Sequence, residues 1–106
     1  MDFVVELYRE LEDFPAQEPF GLTAQLRRAA VSIPSNIAEG AARRNTKELI
    51  QFLYIARGSL SELDTQLEIC FRVGRFKKTV YDHLSSKLEE MSMMLNGLII
   101  SLAKKI

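Results

Sequence analysis

Apolar residues recur along this chain at the spacing of α-helices. In the block 46–72 they alternate in steps of four and three, at Leu49, Leu53, Ala56, Leu60, Leu63, Leu67 and Cys70. Residues three and four apart share one face of a helix, so this pattern predicts a helix buried along one stripe of a bundle. The block 79–105 repeats the pattern, and shorter versions occupy 3–13 and 22–44. No run alternates polar and apolar residues between turn signals, so the sequence predicts no strands.

Turn-forming residues separate the four blocks. The segment 14–21 contains two prolines and a glycine, which predicts a loop. Gly74 is predicted to end the third helix in the left-handed conformation. Asn45 and Thr79 are predicted to cap the third and fourth helices, and Glu48 can reach back to Asn45 as in a capping box. Short loops between four helices predict an all-α, antiparallel up-down-up-down four-helix bundle that forms a single domain over residues 1–106.

Two features depart from an ideal bundle. Pro34 lies inside the second block, where it removes one backbone hydrogen bond and clashes with the carbonyl of Ala30. The apolar spacing continues past it, so we predict one helix kinked at Pro34 rather than two helices. At 1.5 Å per residue, the third and fourth helices would be about 40 Å long and the first only about 20 Å. Half of the bundle would then lack a fourth wall unless another chain covers it.

Several apolar residues lie outside the predicted buried stripes: Phe3, Val31, Phe52, Ile55, Ile69, Met93, Ile99 and Ile100. A small monomeric bundle has mostly polar outer faces, so these residues and the short first helix favour a homo-oligomer. We predict that Phe52, Ile55 and Ile100 contribute to its interface. The methionines at 91, 93 and 94 are expected to fill the core.

Composition places the chain among ordinary globular domains. It has 106 residues, of which 47% are hydrophobic and 26% charged, which excludes a disordered or collagen-like chain. Fourteen basic residues balance fourteen acidic ones, so no overall excess of charge favours nucleic acid or anionic lipid. The most apolar stretch, 91–103, is shorter than the roughly 20 residues of a membrane span, so no membrane partner is expected. The start lacks the features of a signal peptide, and we expect a cytoplasmic protein.

Residues with catalytic or metal-binding chemistry are few. His83 is the only histidine, and the Glu-x-x-His spacing of di-iron bundles is absent. Cys70 is the only cysteine and lies on the predicted buried stripe, which favours an unreactive thiol over a nucleophile. The glycines are scattered rather than gathered in a phosphate-binding loop. We therefore expect no enzyme activity, no catalytic residues, no cofactor, no metal and no small-molecule substrate.

Three segments carry a resemblance to a known family. Residues 32–40 read Ser-Ile-Pro-Ser-Asn-Ile-Ala-Glu-Gly, 47–53 read Lys-Glu-Leu-Ile-Gln-Phe-Leu, and 58–67 read Gly-Ser-Leu-Ser-Glu-Leu-Asp-Thr-Gln-Leu. Over 21–70 the chain resembles the "four helix bundle protein" family, whose first members were described as products of intervening sequences within bacterial 23S ribosomal RNA genes. The resemblance implies an all-α bundle, often a ring-like homopentamer, with no established catalytic residues.

The same resemblance implies kinship with accessory proteins of diversity-generating retroelements, which bind nucleic acid and a reverse transcriptase. Those relatives are strongly basic, whereas this chain is neutral. Family members usually have further residues before Phe3 that complete the first helix, so a short first helix is expected here.

The motif at 32–40 has two interpretations. Glu39 lies four residues before Arg43, the favourable order for an ion pair on a helix. Asn36 shares that stripe and, with Ser35, follows Pro34 closely enough to reach the carbonyls that the proline leaves unpaired. The motif either fixes the kink and the helix contacts or forms a binding site. Its candidate residues are Pro34, Ser35, Asn36, Glu39 and Gly40.

Basic residues are predicted to gather at one end of the bundle, at Arg43, Arg44, Lys47, Lys104 and Lys105; we call this set the basic end. The predicted topology places them with Asp2, Glu39 and Glu48, which leaves a surplus of two positive charges. The cluster is either a solvated helix terminus, where the helix dipole favours Lys and Arg, or a face that binds nucleic acid. The chain is accordingly either an oligomeric accessory protein that binds RNA, DNA or a protein partner, or a scaffolding homo-oligomer that binds protein alone.

Overall fold

Four α-helices make up the computed structural model, which describes residues 2–12 and 21–106. They are α1 (Asp2–Glu10), α2 (Leu22–Ala41), α3 (Thr46–Arg72) and α4 (Lys78–Ala103). No strand occurs within those residues. α3 packs against both α2 and α4, while α1 makes smaller contacts with α2 and α4. The all-α four-helix fold is therefore confirmed.

The ends of α3 follow the predicted chemistry. The Oδ1 atom of Asn45 accepts a hydrogen bond of 2.8 Å from the backbone N–H of Glu48. The Glu48 carboxylate accepts a bond from the Asn45 side-chain amide rather than from its backbone N–H, so the capping box is only half formed. At the other end Gly74 has φ 82°, and the N–H groups of Gly74 and Arg75 donate to the carbonyls of Phe71 and Cys70. These two bonds form a Schellman motif that ends α3.

The start of α4 differs from the prediction. The helix begins at Lys78 and its N-cap is Lys77, which makes no side-chain capping bond, so Thr79 is not the cap. Lys78 instead forms an ion pair of 2.9 Å with Asp82, one turn further along. An i, i+4 pair of this kind supports the first turn without a capping side chain.

The core follows the stripe that was predicted for α3. On α3 the side chains of Leu53, Ala56, Leu60, Leu63, Leu67 and Cys70 are all buried. Phe3 and Ile99 are buried too, although the sequence placed them on the outside. Phe3 lies four residues before Leu7, and Ile99 lies four residues after Leu95, so both face the same core as these leucines.

α1 is much shorter than its neighbours, as expected. Its nine residues span about 14 Å, whereas α3 and α4 span about 40 Å each. Asp2, at its start, lies near Lys87 and Met91, in the middle of α4. Next to this point an open apolar groove of about 390 Å³ runs between α2 and α4. This Met94 groove is lined by Ile33, Ile37, Leu60, Met91, Met94, Leu95 and Leu98.

The methionines divide between core and surface. Met91 packs partly against the core, but Met93 and Met94 are 69% and 74% exposed, so the prediction that all three fill the core is wrong. Met93 points away from the core, and Met94 lies at the uncovered groove.

α2 runs through Pro34 as one continuous helix, so the two-helix alternative is excluded. The kink at Pro34 and the antiparallel course of the bundle stay predictions. The predicted loop 14–21 lies outside the described residues except for Gly21, and so does the predicted last residue of the first helix. Within the described part of the chain, no helix is long and apolar enough to cross a membrane.

Candidate nucleic-acid interface

The 32–40 motif of α2 forms a polar contact with α3. The side-chain amide of Asn36 donates to the backbone carbonyl and the hydroxyl of Ser32, at 2.8 and 2.9 Å. The hydroxyl of Ser59 on α3 donates to the Ser32 hydroxyl at 2.8 Å. Ser59 is buried and the other two residues are half-buried, so these bonds satisfy polar groups within the α2–α3 contact. Asn36 therefore reaches Ser32 rather than the Ala30 carbonyl that Pro34 leaves without its usual donor.

Gly40 marks the closest approach of the two helices. A Cβ atom at this position would lie 2.8 Å from Cβ of Phe52 and 3.0 Å from a methyl carbon of Leu49. Only a residue without a side chain fits at this separation. Gly40 therefore acts in helix packing, while Ser35 is exposed and Pro34 is half-buried on the same helix.

Glu39 and Arg43 form the predicted ion pair. The Arg43 guanidinium also lies over the ring of Phe52, 4.9 Å from its centroid. Phe52 is half-buried and Arg43 is exposed, so the arginine covers an apolar ring at the edge of the α2–α3 contact. Arg43 thus contacts both the Glu39 carboxylate and the Phe52 ring within the protein itself.

The other four residues of the basic end, Arg44, Lys47, Lys104 and Lys105, are exposed. Among the ion pairs in the described residues, none includes these four, in contrast to Arg43. Arg44 lies in the turn between α2 and α3, Lys47 is in the first turn of α3, and the two lysines follow the last turns of α4.

Two contacts between α3 and α4 show which ends of the two helices lie together. Phe71, near the end of α3, stacks on Tyr81, near the start of α4, with ring centroids 4.6 Å apart. Further back on α3, Arg57 donates to Asn96 at 3.2 Å. Earlier positions on α3 therefore contact later positions on α4, and Lys104 lies towards the end of α3 that begins at Thr46.

The acidic residues at the basic end are fewer than expected. The sequence placed Asp2 there, but Asp2 lies near Lys87, because α1 is too short to reach the end of α4. Of the three carboxylates that the sequence placed at this end, Glu39 and Glu48 are left, so within the described residues the count against the five cations is a surplus of three positive charges rather than two. This end of the bundle is more basic than the sequence predicted.

Two clusters were missed at the sequence level. His83 on α4 lies 2.9 Å from the Glu6 carboxylate, so the histidine ties α1 to α4. Arg57 lies over the ring of Tyr54 and bonds to Asn96, which joins α3 to α4 on the outer surface. The i, i+3 spacing of Tyr54 and Arg57 is a signal that could have shown this pair, whereas nothing local links position 57 to 96 or 6 to 83.

Comparisons with known proteins agree with this fold. A search of the curated proteins finds no match. Among solved structures, one similar chain is a protein of unknown function from the S23 ribosomal protein family of Bacteroides thetaiotaomicron. It is 24% identical, with a TM-score of 0.79, over 91% of this chain and 87% of that one. A likeness at this identity shows the shared fold.

A protein-family model described as "23S rRNA-intervening sequence protein" matches residues 1–97. The match includes the 32–40 motif, the α2–α3 contact that this motif forms, and Arg43, Arg44 and Lys47 of the basic end. The chain therefore belongs to the 23S rRNA-intervening sequence protein family.

Proposed function

We propose that this chain is a cytoplasmic, non-catalytic, oligomeric bundle protein that binds nucleic acid through the phosphates, using the basic end. The observation that carries the proposal is the exposure of Arg44, Lys47, Lys104 and Lys105, which take part in none of the described ion pairs. A carboxylate partner would neutralise such groups and hold them against the protein surface. Without one, their charge is available to a polyanion.

The local surplus of charge supports phosphate binding by a chain that is neutral overall. Five basic side chains lie at this end with the carboxylates of Glu39 and Glu48, a surplus of three. A ring of five subunits, which we take from the family resemblance, would place five such surfaces on one side. Their combined surplus of about fifteen charges is in the range where release of counterions makes binding measurable.

Lys and Arg at helix ends suit contacts to the backbone of a nucleic acid rather than to base edges. The five residues of the basic end are all Lys or Arg, the residue types that most often contact phosphates, and none is an aromatic side chain that would stack on a base. Affinity is therefore expected to tolerate changes of sequence and to fall steeply with salt. The log–log slope grows by about 0.7–0.9 for each phosphate neutralised.

The test is a titration of fluorescently labelled RNA and DNA with the protein at graded salt, followed by fluorescence anisotropy. We expect Arg44→Glu combined with Lys104→Glu to abolish binding at every salt concentration. The matched control is Arg9→Glu with Lys77→Glu, which makes the same change of net charge at exposed positions away from the basic end. Equal loss of binding in both double variants would show that only net charge matters and would contradict the proposed face.

The proposal includes no catalytic step. Cys70 has no exposed surface, so its thiol is closed to a substrate. His83 is directed to Glu6 of α1, in a contact that joins two helices. These placements support a binding role rather than a reaction.

A second candidate function is a homo-oligomeric scaffold that binds only protein. It is favoured by exposed apolar side chains on three helices, such as Val31, Ile55 and Ile100, and by the Met94 groove. The same titration separates the two functions. Wild-type protein that retains neither RNA nor DNA at low salt would favour the scaffold.

A further inference from the structure

Three residues form a fixed cluster on the outer surface of α3 and α4. The Arg57 guanidinium lies 4.7 Å from the ring centroid of Tyr54, and its Nη1 donates to Oδ1 of Asn96 at 3.2 Å. Tyr54 remains 47% exposed. The guanidinium thus bonds to the neighbouring helix and lies over the ring at the same time, so that its plane and the ring are next to each other on the surface. We call these three residues the Tyr54 platform.

The platform continues from the basic end along both helices. On α3, Tyr54 follows Lys47 by seven residues, or two turns, so the two lie on one stripe about 10 Å apart. On α4, Lys104 follows Asn96 by eight residues, about 12 Å further along and about 80° around the helix axis. The exposed aromatic ring thus lies about two turns from Lys47, on the side of the basic end.

Two glycines leave space beside the platform. Gly58 and Gly97 each follow one member of the Arg57–Asn96 pair, and a Cβ atom at either position would meet nothing within 4 Å. A glycine inside a helix costs stability relative to alanine, and close packing, which explains Gly40, explains neither of these. Neither glycine adds a side chain next to the Arg57–Asn96 pair, and the space above each of them is open.

From this arrangement we propose that the Tyr54 platform stacks an unpaired base of a single-stranded nucleic acid whose phosphates contact Lys47 and Lys104. The inference rests on the proposed function and adds the kind of nucleic acid. Aromatic rings and guanidinium planes are the groups on which unpaired bases stack, and they do so without regard to sequence. In a duplex the bases are already stacked on one another and are not available to this ring.

The charge of the surface limits the length of the site. Beyond the platform, the cleft between α3 and α4 is lined by Asp64 and Glu89 together with serines. These carboxylates would repel a phosphate backbone, so the strand lies between the basic end and the platform rather than along the whole of α3.

The experiment compares a labelled single strand of mixed sequence with the duplex of the same sequence, by fluorescence anisotropy at low salt. We expect wild-type protein to prefer the single strand. Tyr54→Ala is expected to bind the single strand roughly five- to a hundredfold more weakly, the effect of losing one stacked base, with an unchanged salt slope. Tyr54→Phe keeps the ring and is expected to keep the preference. The matched control is Tyr8→Ala, because Tyr8 also has an arginine over its ring, Arg27 at 5.5 Å.

A second measurement does not depend on a truncating variant. The chain has three tyrosines and no tryptophan, so tyrosine emission can be followed directly. A stacked base is expected to quench part of that emission in wild-type protein, and Tyr54→Phe is expected to bind without that quenched part.

The possible outcomes are distinct. If wild-type protein binds no nucleic acid at all, the proposed function fails and this inference fails with it. If it binds, but Tyr54→Ala keeps the affinity and emission is not quenched, the platform has no part in binding, while the phosphate face stands. If Tyr54→Ala instead dissociates the oligomer in light scattering, the platform is a contact between proteins and the inference is wrong.

Discussion

At the scale of single residues, the 32–40 motif contributes two different things to the α2–α3 contact. Gly40 contributes the absence of a side chain, which lets the two helices approach. Asn36 contributes hydrogen bonds to Ser32, whose hydroxyl in turn accepts from Ser59 of α3. These contacts are of the kind that the structural interpretation of the motif predicts, and the choice between this interpretation and a binding site stays a prediction.

Gly40→Ala is expected to destabilise the protein by about 1–3 kcal/mol. The new methyl group would lie 2.8 Å from Cβ of Phe52, which belongs to the rigid base of its side chain, so α2 and α3 must move apart. Chemical denaturation followed by circular dichroism measures the change.

The control for Gly40 is Gly58→Ala, inside α3. A Cβ atom there meets nothing within 4 Å, so alanine is expected to stabilise the protein by about 0.5–1 kcal/mol through its helix propensity. If both alanine variants are stabilised, the close approach at Gly40 is not a constraint.

Asn36→Ala is expected to cost about 1–2 kcal/mol, because Ser32 loses a donor within a half-buried contact. Ser35→Ala changes an exposed neighbour and is expected to stay within about 0.5 kcal/mol of wild type. Thermal unfolding of the two variants gives the comparison. An unchanged melting temperature of Asn36→Ala together with lost nucleic-acid binding would make the motif a site.

At the scale of elements, the ends of α3 are determined by local chemistry and the start of α4 is not. Asn45 and Gly74 make the contacts that their residue types predict. At α4 the predicted cap, Thr79, lies inside the helix, which begins at Lys78 without a capping side chain. Helix ends are commonly displaced by one or two residues, and here no side-chain bond marks the start.

Asn45→Ala is expected to lower the stability of the protein by about 1 kcal/mol, since the N–H of Glu48 loses its acceptor. Asn45→Asp keeps an oxygen at the same position and is expected to retain most of that stability. Urea denaturation of the three proteins measures the difference. Equal loss of stability in both variants would mean that the stabilising contact is the hydrogen bond that the Asn45 side-chain amide donates to the Glu48 carboxylate.

The buried stripes were predictable from the sequence because helical periodicity alone decides which side of a helix faces a core. The exposure of Met94 could not be predicted in this way, since it depends on how far α1 extends along α4. For the same reason Asp2 was misplaced at the basic end. The Arg57–Asn96 and Glu6–His83 pairs join residues far apart in sequence, and only the packing of helices brings them together.

At the scale of the whole molecule, several large apolar side chains lie on the described surface rather than in the core. Val5, Val31, Ile55, Ile69 and Ile100 are each more than 40% exposed, and the Met94 groove adds a continuous apolar surface. Such exposure on a small domain is typical of a surface that another protein covers. This supports the proposal of self-association.

Multi-angle light scattering at micromolar concentration is expected to give a multiple of the 12.1 kDa chain mass, with five as the number that the family resemblance suggests. Ile55→Asp is expected to shift the protein towards a smaller species, because a carboxylate would be buried in the interface. Val5→Asp, at a position of similar exposure on α1, is the control. A wild-type species of 12 kDa would contradict self-association.

The exposure of the methionines has a consequence for oxidation. Met93 and Met94 are largely exposed, whereas Met91 is partly shielded against the core, so we expect the first two to be oxidised before the third. Oxidation converts a flexible apolar side chain into a polar, chiral sulfoxide, which reductases can reverse. At Met94 this reaction would place a strong hydrogen-bond acceptor on the wall of the groove, beside Leu98. We therefore expect a partner held in the groove by apolar contacts to bind more weakly after treatment with peroxide and to regain its affinity after reduction of the sulfoxide.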